Sequence, residues 1–126
     1  MVSVDLSKAV NIEEIPPYTF SGCSAFEQIV IPSQIKKIGY EAFSNCTSLK
    51  ADKVTMSENL QSMAGSVFSG CTSFTELPDL KSMTSIPEYT FSYCTGLVKV
   101  EVPDRIQTIG GQAFYNCTNL VAIGLG

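Results

Sequence analysis

The chain has 126 residues, a formal charge of −4 and a sequence pI near 4.6, with five cysteines, seven phenylalanines and neither histidine nor tryptophan. Its 44% hydrophobic content suffices for one packed core of single-domain size, while the missing histidine removes Ser-His-Asp and Cys-His catalysis and His-containing zinc sites. The acidic balance, with eight Lys and Arg clustered only at Lys36-Lys37, excludes phosphate-backbone recognition, so no nucleic acid is expected as a partner.

In chain order, the first turn follows Ile15, with Pro16 and Pro17 at first-turn positions where a missing N–H costs nothing, and runs through Phe20-Ser21-Gly22-Cys23. The segment Phe26-Glu27-Gln28-Ile29-Val30-Ile31 alternates with period two, which is a strand with one face inward, and Pro32 stops it. Next, Ile38, Ala42, Phe43, Cys46 and Leu49 share one face of a short helix or 3-10 turn. The third unit is longer by two residues near Ala51-Asp52, carries Met63-Ala64 where others have Ile-Gly, and continues through Phe68-Ser69-Gly70-Cys71. In the fourth, strict alternation through Leu77-Pro78-Asp79-Leu80 would turn Asp79 inward, so a bulge that seats Leu80 in the core is expected. That unit runs on through Ile86, Pro87 and Phe91-Ser92-Tyr93-Cys94. A strand over Leu97–Val102, stopped by Pro103, then leads through Ile109 and Phe114-Tyr115-Asn116-Cys117 to a last strand over Leu120–Leu125.

One frame underlies these elements. Successive Phe-x-x-Cys phenylalanines are separated by 23, 25, 23 and 23 residues, with an aliphatic residue five positions before each and Ser or Thr after each cysteine. The residue before each cysteine is Gly22, Asn45, Gly70, Tyr93 or Asn116. Gly and Asn tolerate the left-handed turn conformation, so Tyr93 is expected to be strained or differently turned. A strand-plus-turn unit of this size cannot bury its apolar face alone, so copies stack with strands about 4.8 Å apart. Residues 1–126 are expected to form a single α/β repeat solenoid of about five units of 23–25 residues. A parallel β-sheet would form its concave side, and short helical or 3-10 turns its convex side.

The pattern Ile-Gly-x-x-Ala-Phe-x-x-Cys-x-x-Leu, present from Ile38 to Leu49 and again from Ile109 to Leu120, resembles the BspA-like leucine-rich repeat, and the likeness extends from about Val4 to Leu125. It implies the right-handed leucine-rich-repeat superhelix and a cell-surface or secreted protein that adheres to a protein partner: host matrix, a receptor or a microbial surface protein. No stretch reaches the roughly 18 apolar residues of a membrane span, so no membrane insertion is expected. Met1-Val2-Ser3-Val4-Asp5 lacks the basic-then-apolar start of a signal peptide, so the chain is either intracellular or an excerpt of a longer protein, and the resemblance favours the excerpt.

Each chemical group has a structural explanation. Five cysteines cannot all pair, their spacing is not that of zinc ligands, and a ladder of inert core thiols is expected. The hydroxyl after each cysteine has no base beside it and is expected to satisfy backbone groups at the corner. The sequons Asn45-Cys46-Thr47 and Asn116-Cys117-Thr118 follow from the repeat. Glu76 and Glu101 could hydrolyse a glycoside only in a water-excluding pocket, and Lys53 and Lys99 are expected to pair with them across strands. No catalytic, cofactor or metal site is expected. The outward residues of the concave face, Gln28, Val30, Lys53, Thr55, Glu76, Lys99 and Glu101, are the expected partner-binding set, alongside Pro78, Ala122 and Gly124. A rival convex set is Tyr18, Tyr40, Tyr89, Tyr93 and Tyr115, because tyrosine is favoured at interface hot spots. The alternative to a binding module is a structural spacer or stalk that displays another domain. The finish at Ile123-Gly124-Leu125-Gly126, in mid-strand, suggests continuation beyond Gly126 or self-association through open solenoid ends.

Overall fold

Units contribute very short strands, two in most and one in the fourth, because a proline or a turn ends the alternation after one or two inward residues. In a computed structural model describing residues 3–6, 11–81 and 83–125, these are β1 (Ser3–Asp5), β2 (Glu14–Ile15), β3 (Gln28–Val30), β4 (Lys37–Ile38), β5 (Val54–Thr55), β6 (Ser62–Met63), β7 (Ser85–Ile86), β8 (Lys99–Val102), β9 (Thr108–Ile109) and β10 (Ala122–Leu125). All pairings are parallel. The principal face carries β1-β3-β5 and, further along, β8-β10; the second carries β2-β4-β6 and β7-β9.

Register follows the repeat. Ile29 lies opposite Val54, Val100 opposite Ile123, and Ile15, Ile38 and Met63 follow one another on the second face. Strand β1, with Val4 opposite Ile29, adds a rung ahead of the five counted from the Phe-x-x-Cys frame.

The third side of each unit differs from the expected helix or 3-10 turn. It is a ladder of hydrogen-bonded turns in which backbone N–H groups alternate between two acceptors. The phenylalanine amides donate sideways to the next unit: Phe20 to Ala42 O at 2.8 Å, Phe43 to Val67 O at 3.0 Å, Phe68 to Thr90 O at 3.1 Å and Phe91 to Ala113 O at 2.8 Å. The cysteine amides close back on their own unit's phenylalanine carbonyl at 3.0 to 3.3 Å. A helix would use every N–H within the segment and leave none to join the units.

This alternation requires a left-handed residue two positions before and two after each phenylalanine. Tyr18, Glu41, Ser66, Tyr89 and Gln112 take the first position and Gly22, Asn45, Gly70, Tyr93 and Asn116 the second, with φ between 53° and 77°. Tyr93 therefore makes the same turn as its counterparts and carries the strain. Among the described residues the one 3-10 helix is Ala51–Lys53, where the third unit has its two extra residues.

The core is a stack. Phe20, Phe43, Phe68, Phe91 and Phe114 lie ring over ring, with centroids 5.4 to 6.0 Å apart and planes within 15°. The three inner rings are fully buried among Ile29, Ile38, Leu49, Ile86, Leu97 and Val100. Gly39 and Gly110 follow second-face strands at points where the preceding unit's backbone approaches closely. A Cβ on Gly39 would stand 2.5 Å from Pro17 N, and one on Gly110 would stand 2.8 Å from the Pro87 carbonyl carbon.

Candidate functional site

The fourth unit breaks both sheets. Counting in the repeat frame, Pro78 takes the place of Val30, Thr55 and Glu101, and Pro87 that of Gly39, Ala64 and Gly110. On the second face Gly39 N–H donates to Ile15 O at 2.8 Å, Ala64 N–H to Ile38 O at 2.9 Å and Gly110 N–H to Ile86 O at 2.7 Å. Pro87 has no N–H to offer Met63, and β6 and β7 do not pair with each other. On the principal face Pro78 likewise has no donor, and the backbone of residues 75–79 makes no hydrogen bond to β5 or β8. Leu80 takes the core position as expected, with Asp79 exposed and its Oδ1 accepting from Lys81 N–H at 2.8 Å, but the expected bulge is replaced by a gap, because the segment pairs with no strand that it could bulge against.

Where the principal sheet is interrupted, a cleft of about 370 Å³ opens. Val54, Leu77 and Pro78 give it an apolar floor, and Asp52, Glu76, Asp79, Glu101 and Arg105 also line it. Arg105 Nη2 lies 3.5 Å from Asp79 Oδ1, and Lys81 Nζ is 4.0 Å from Asp79 Oδ2. The remaining ion pair among the described residues, Lys36 to Glu13 at 3.7 Å, is remote from it in the chain. The expected pairing of Lys53 and Lys99 with Glu76 and Glu101 does not occur. Glu76 sits on the segment that leaves the sheet, so no strand register holds it opposite either lysine.

The expected concave set is thus split. Gln28, Lys53 and Thr55 are exposed and Val30 half-buried on one side of the cleft, Lys99 and Glu101 are exposed on the other, and Glu76 lies between them. Glu101 lies opposite Gly124, where a Cβ would collide with the Glu101 carboxylate; Lys99 lies opposite Ala122. Pro78 is buried.

The convex set forms two patches. Tyr18 and Tyr40 meet edge to face at 5.7 Å, and Tyr115 meets Tyr93 at 5.6 Å and Tyr89 at 6.4 Å in the same manner. All five tyrosines are 37 to 56% exposed.

The cysteines are ordered more closely than the sequence suggested. Each thiol donates to the phenylalanine carbonyl of the unit before it: Cys46 to Phe20 O at 3.2 Å, Cys71 to Phe43 O at 3.3 Å, Cys94 to Phe68 O at 3.2 Å and Cys117 to Phe91 O at 3.1 Å. Burial, opposed by neighbouring hydrogen bonds, pushes Cys46 and Cys94 up to about 12, and it raises Cys71 and Cys117 as well. These four are inert core thiols. Cys23 is exposed, contrary to the ladder of five buried thiols expected.

Corner hydroxyls are displaced by one position from expectation. Ser24, Thr47, Thr72 and Thr118 are exposed, and the corner carbonyls of Thr47 and Thr95 are satisfied from the next unit by Ser73 Oγ at 2.6 Å and Asn119 Nδ2 at 2.7 Å. Further hydroxyl contacts join serines that follow the phenylalanines, Ser21 to Ser44 at 2.7 Å and Ser69 to Ser92 at 2.8 Å. The cleft was missed in the sequence, although its signal was there: a proline at both strand positions of one unit.

Stacked parallel rungs of 23–25 residues, a phenylalanine spine and one open sheet face define a leucine-rich-repeat solenoid, a class built for contact with other proteins. The chain belongs to the BspA-type leucine-rich repeat family, whose sequence model matches residues 13–126 in six copies. It is similar to the crystal structure of a T. pallidum leucine-rich repeat protein, with 27% identity and a TM-score of 0.83 over 97% of this chain and 57% of that one. A leucine rich cell surface protein from Faecalibacterium prausnitzii is similar at 26% identity and a TM-score of 0.80, over 98% of this chain and 32% of that one. A leucine-rich repeat protein from Bacteroides ovatus shares the fold at 24% identity and a TM-score of 0.68, over 99% of this chain and 37% of that one. No curated protein matches the chain in sequence. The chain therefore spans little more than half of the T. pallidum protein and about a third of the other two. Among the described residues, no helix is long and apolar enough to cross a membrane.

Proposed function

We propose that residues 1–126 form a non-enzymatic binding domain of a longer cell-surface or secreted protein and hold a host or microbial protein against the principal sheet, the concave side of a right-handed superhelix. The observation that carries this reading is the open sheet face itself: exposed Gln28, Thr55, Lys99 and Glu101 stand on parallel strands, exposed Lys53 and Glu76 flank them, and among the described residues none of the six has an ion pair. Similarity to a protein described as a leucine rich cell surface protein supports the location. Adhesion suits an extended face that buries a standard interface without an enclosed pocket.

The test is partner retention from host and microbial surface extracts by the immobilised chain and by the triple variant Lys53→Glu/Lys99→Glu/Glu101→Lys. The variant is expected to lose a partner that the parent and a Tyr18→Ala/Tyr40→Ala/Tyr115→Ala variant both retain. Loss confined to the tyrosine variant would move the site to the convex patches. No retained partner for any form would favour the spacer or stalk.

A further inference from the structure

The interrupted rung gives the principal face something a regular leucine-rich-repeat sheet lacks: an apolar-floored cleft ringed by carboxylates and bordered by main chain with no sheet partner. We infer that this cleft receives an arginine from an extended basic segment of the partner protein. The inference rests on the protein-binding reading above and names the chemistry of that partner.

Charge is the first argument. Among the described residues, Asp79 has ion pairs, with Arg105 and Lys81, whereas Asp52, Glu76 and Glu101 at the cleft have none. The cleft thus presents uncompensated negative charge on a chain whose formal charge is −4. A cation that enters is drawn by this net negative charge, and partial desolvation against Val54, Leu77 and Pro78 strengthens whichever pair it forms.

Shape and chemistry narrow the cation. The acidic residues reach the cleft from three separate segments, at Asp52, at Glu76 and Asp79 and at Glu101, and among the described residues no group of three acidic or thiol side chains converges as a metal requires. A guanidinium offers five donors in a planar fork, which suits separated carboxylates better than a point charge does. Its methylene stem would lie on the apolar floor. The volume, about 370 Å³, falls within the range of roughly 300–1,000 Å³ typical of small-ligand pockets and exceeds what one side chain needs.

Main chain supplies the second, independent argument. Residues 75–79 bond to neither adjacent strand, so their donors and acceptors must be met by water or by a ligand. An extended segment can meet several of them through its own backbone while its arginine enters the cleft. Affinity would come from the main chain and the apolar floor, and selectivity for a basic sequence from Glu76, Glu101 and Asp52.

The experiment uses the full chain and a fluorescein-labelled peptide alternating threonine and arginine, with the glutamate-for-arginine peptide as its counterpart, read by fluorescence anisotropy at low salt. The arginine peptide should bind at least about tenfold tighter than the glutamate peptide and weaken as salt screens the contact. Glu76→Gln/Glu101→Gln should weaken it about tenfold. Glu14→Gln/Glu27→Gln, which changes the net charge equally but lies outside the cleft, should leave it unchanged. Equal binding of the two peptides, or equal losses in the two double variants, would overturn the inference, the latter showing attraction by net charge alone. Should the arginine peptide fail while Lys53→Glu/Lys99→Glu/Glu101→Lys still abolishes retention of a protein partner, the binding face stands and its basic ligand falls. If both fail, the face itself is refuted.

Discussion

Tyr93 holds φ 60°, a conformation that costs an L-residue roughly 1–2 kcal/mol, while its counterparts in the other units are Gly or Asn. Replacing it with Asn removes most of that strain and sacrifices an edge-to-face contact with Tyr115 worth about 0.5–1.5 kcal/mol. Tyr93→Asn is expected to stabilise the fold by up to about 1 kcal/mol in urea unfolding, and a net loss would show that the ring contact dominates. The thiols give a pH test. Cys46 and Cys94 titrate near 12 when folded, against about 8.5–9 in an unfolded chain, so their contribution is fully present below about pH 8.5 and is lost as pH rises toward 12. Each buried thiol should steepen the alkaline loss of stability by up to about 1.4 kcal/mol per pH unit. Cys71→Ala, also raised by burial, should destabilise the protein at pH 7 yet flatten its decline between pH 7 and 10. An unchanged slope in urea midpoints would contradict the burial of that thiol. Phe-x-x-Cys was legible in the sequence because both residues recur in one frame. The thiol's acceptor was not, because it lies 26 to 28 residues away and is set by the offset between rungs.

At the scale of elements, strands were readable and turns were not. Alternation located β3, β8 and β10, whereas offsets of four, five, eight and eleven after Ile38 fit a helix face as well as a repeated turn that points its apolar residues inward. The left-handed residues at Glu41, Ser66 and Gln112 gave no warning, since only Gly and Asn advertise that conformation. Prolines at both strand positions of the fourth unit did advertise the break, and two consequences follow. Amides of Leu77 and Asp79 should exchange with solvent much faster than those of Val100 and Val102 in β8, by hydrogen exchange read residue by residue; equal protection would mean that the principal sheet is continuous. Gly110→Ala should cost about 2–3 kcal/mol, because its Cβ would press on Pro87 and Glu88 backbone that cannot yield. A loss below about 0.5 kcal/mol in thermal unfolding would show that the units do not pack so closely there.

For the whole molecule, three hydrogen-bonded ladders run along the solenoid, and only the turn ladder passes through the third and fourth units without interruption, by Ser66 to Glu88, Phe68 to Thr90 and Gly70 to Ser92. The Phe68 and Phe91 rings stack across the same boundary, 6.0 Å apart. The two halves are thus joined along one side and open a cleft on another, which turns a uniform face into one with a centre. The repeat made the architecture and family legible from residue spacing alone. The cleft's carboxylates were visible only as scattered acids, because their gathering depends on a sheet that fails to form. The most direct test of the account is photo-crosslinking from single sites on the assembled chain to a retained protein partner, with a photoreactive residue replacing Thr55 or Lys99 on the principal face, or Tyr40 or Tyr115 on the turn side. Crosslinks from Thr55 and Lys99 but not from the tyrosine positions are the expected result. Crosslinks from the tyrosine positions alone would contradict it.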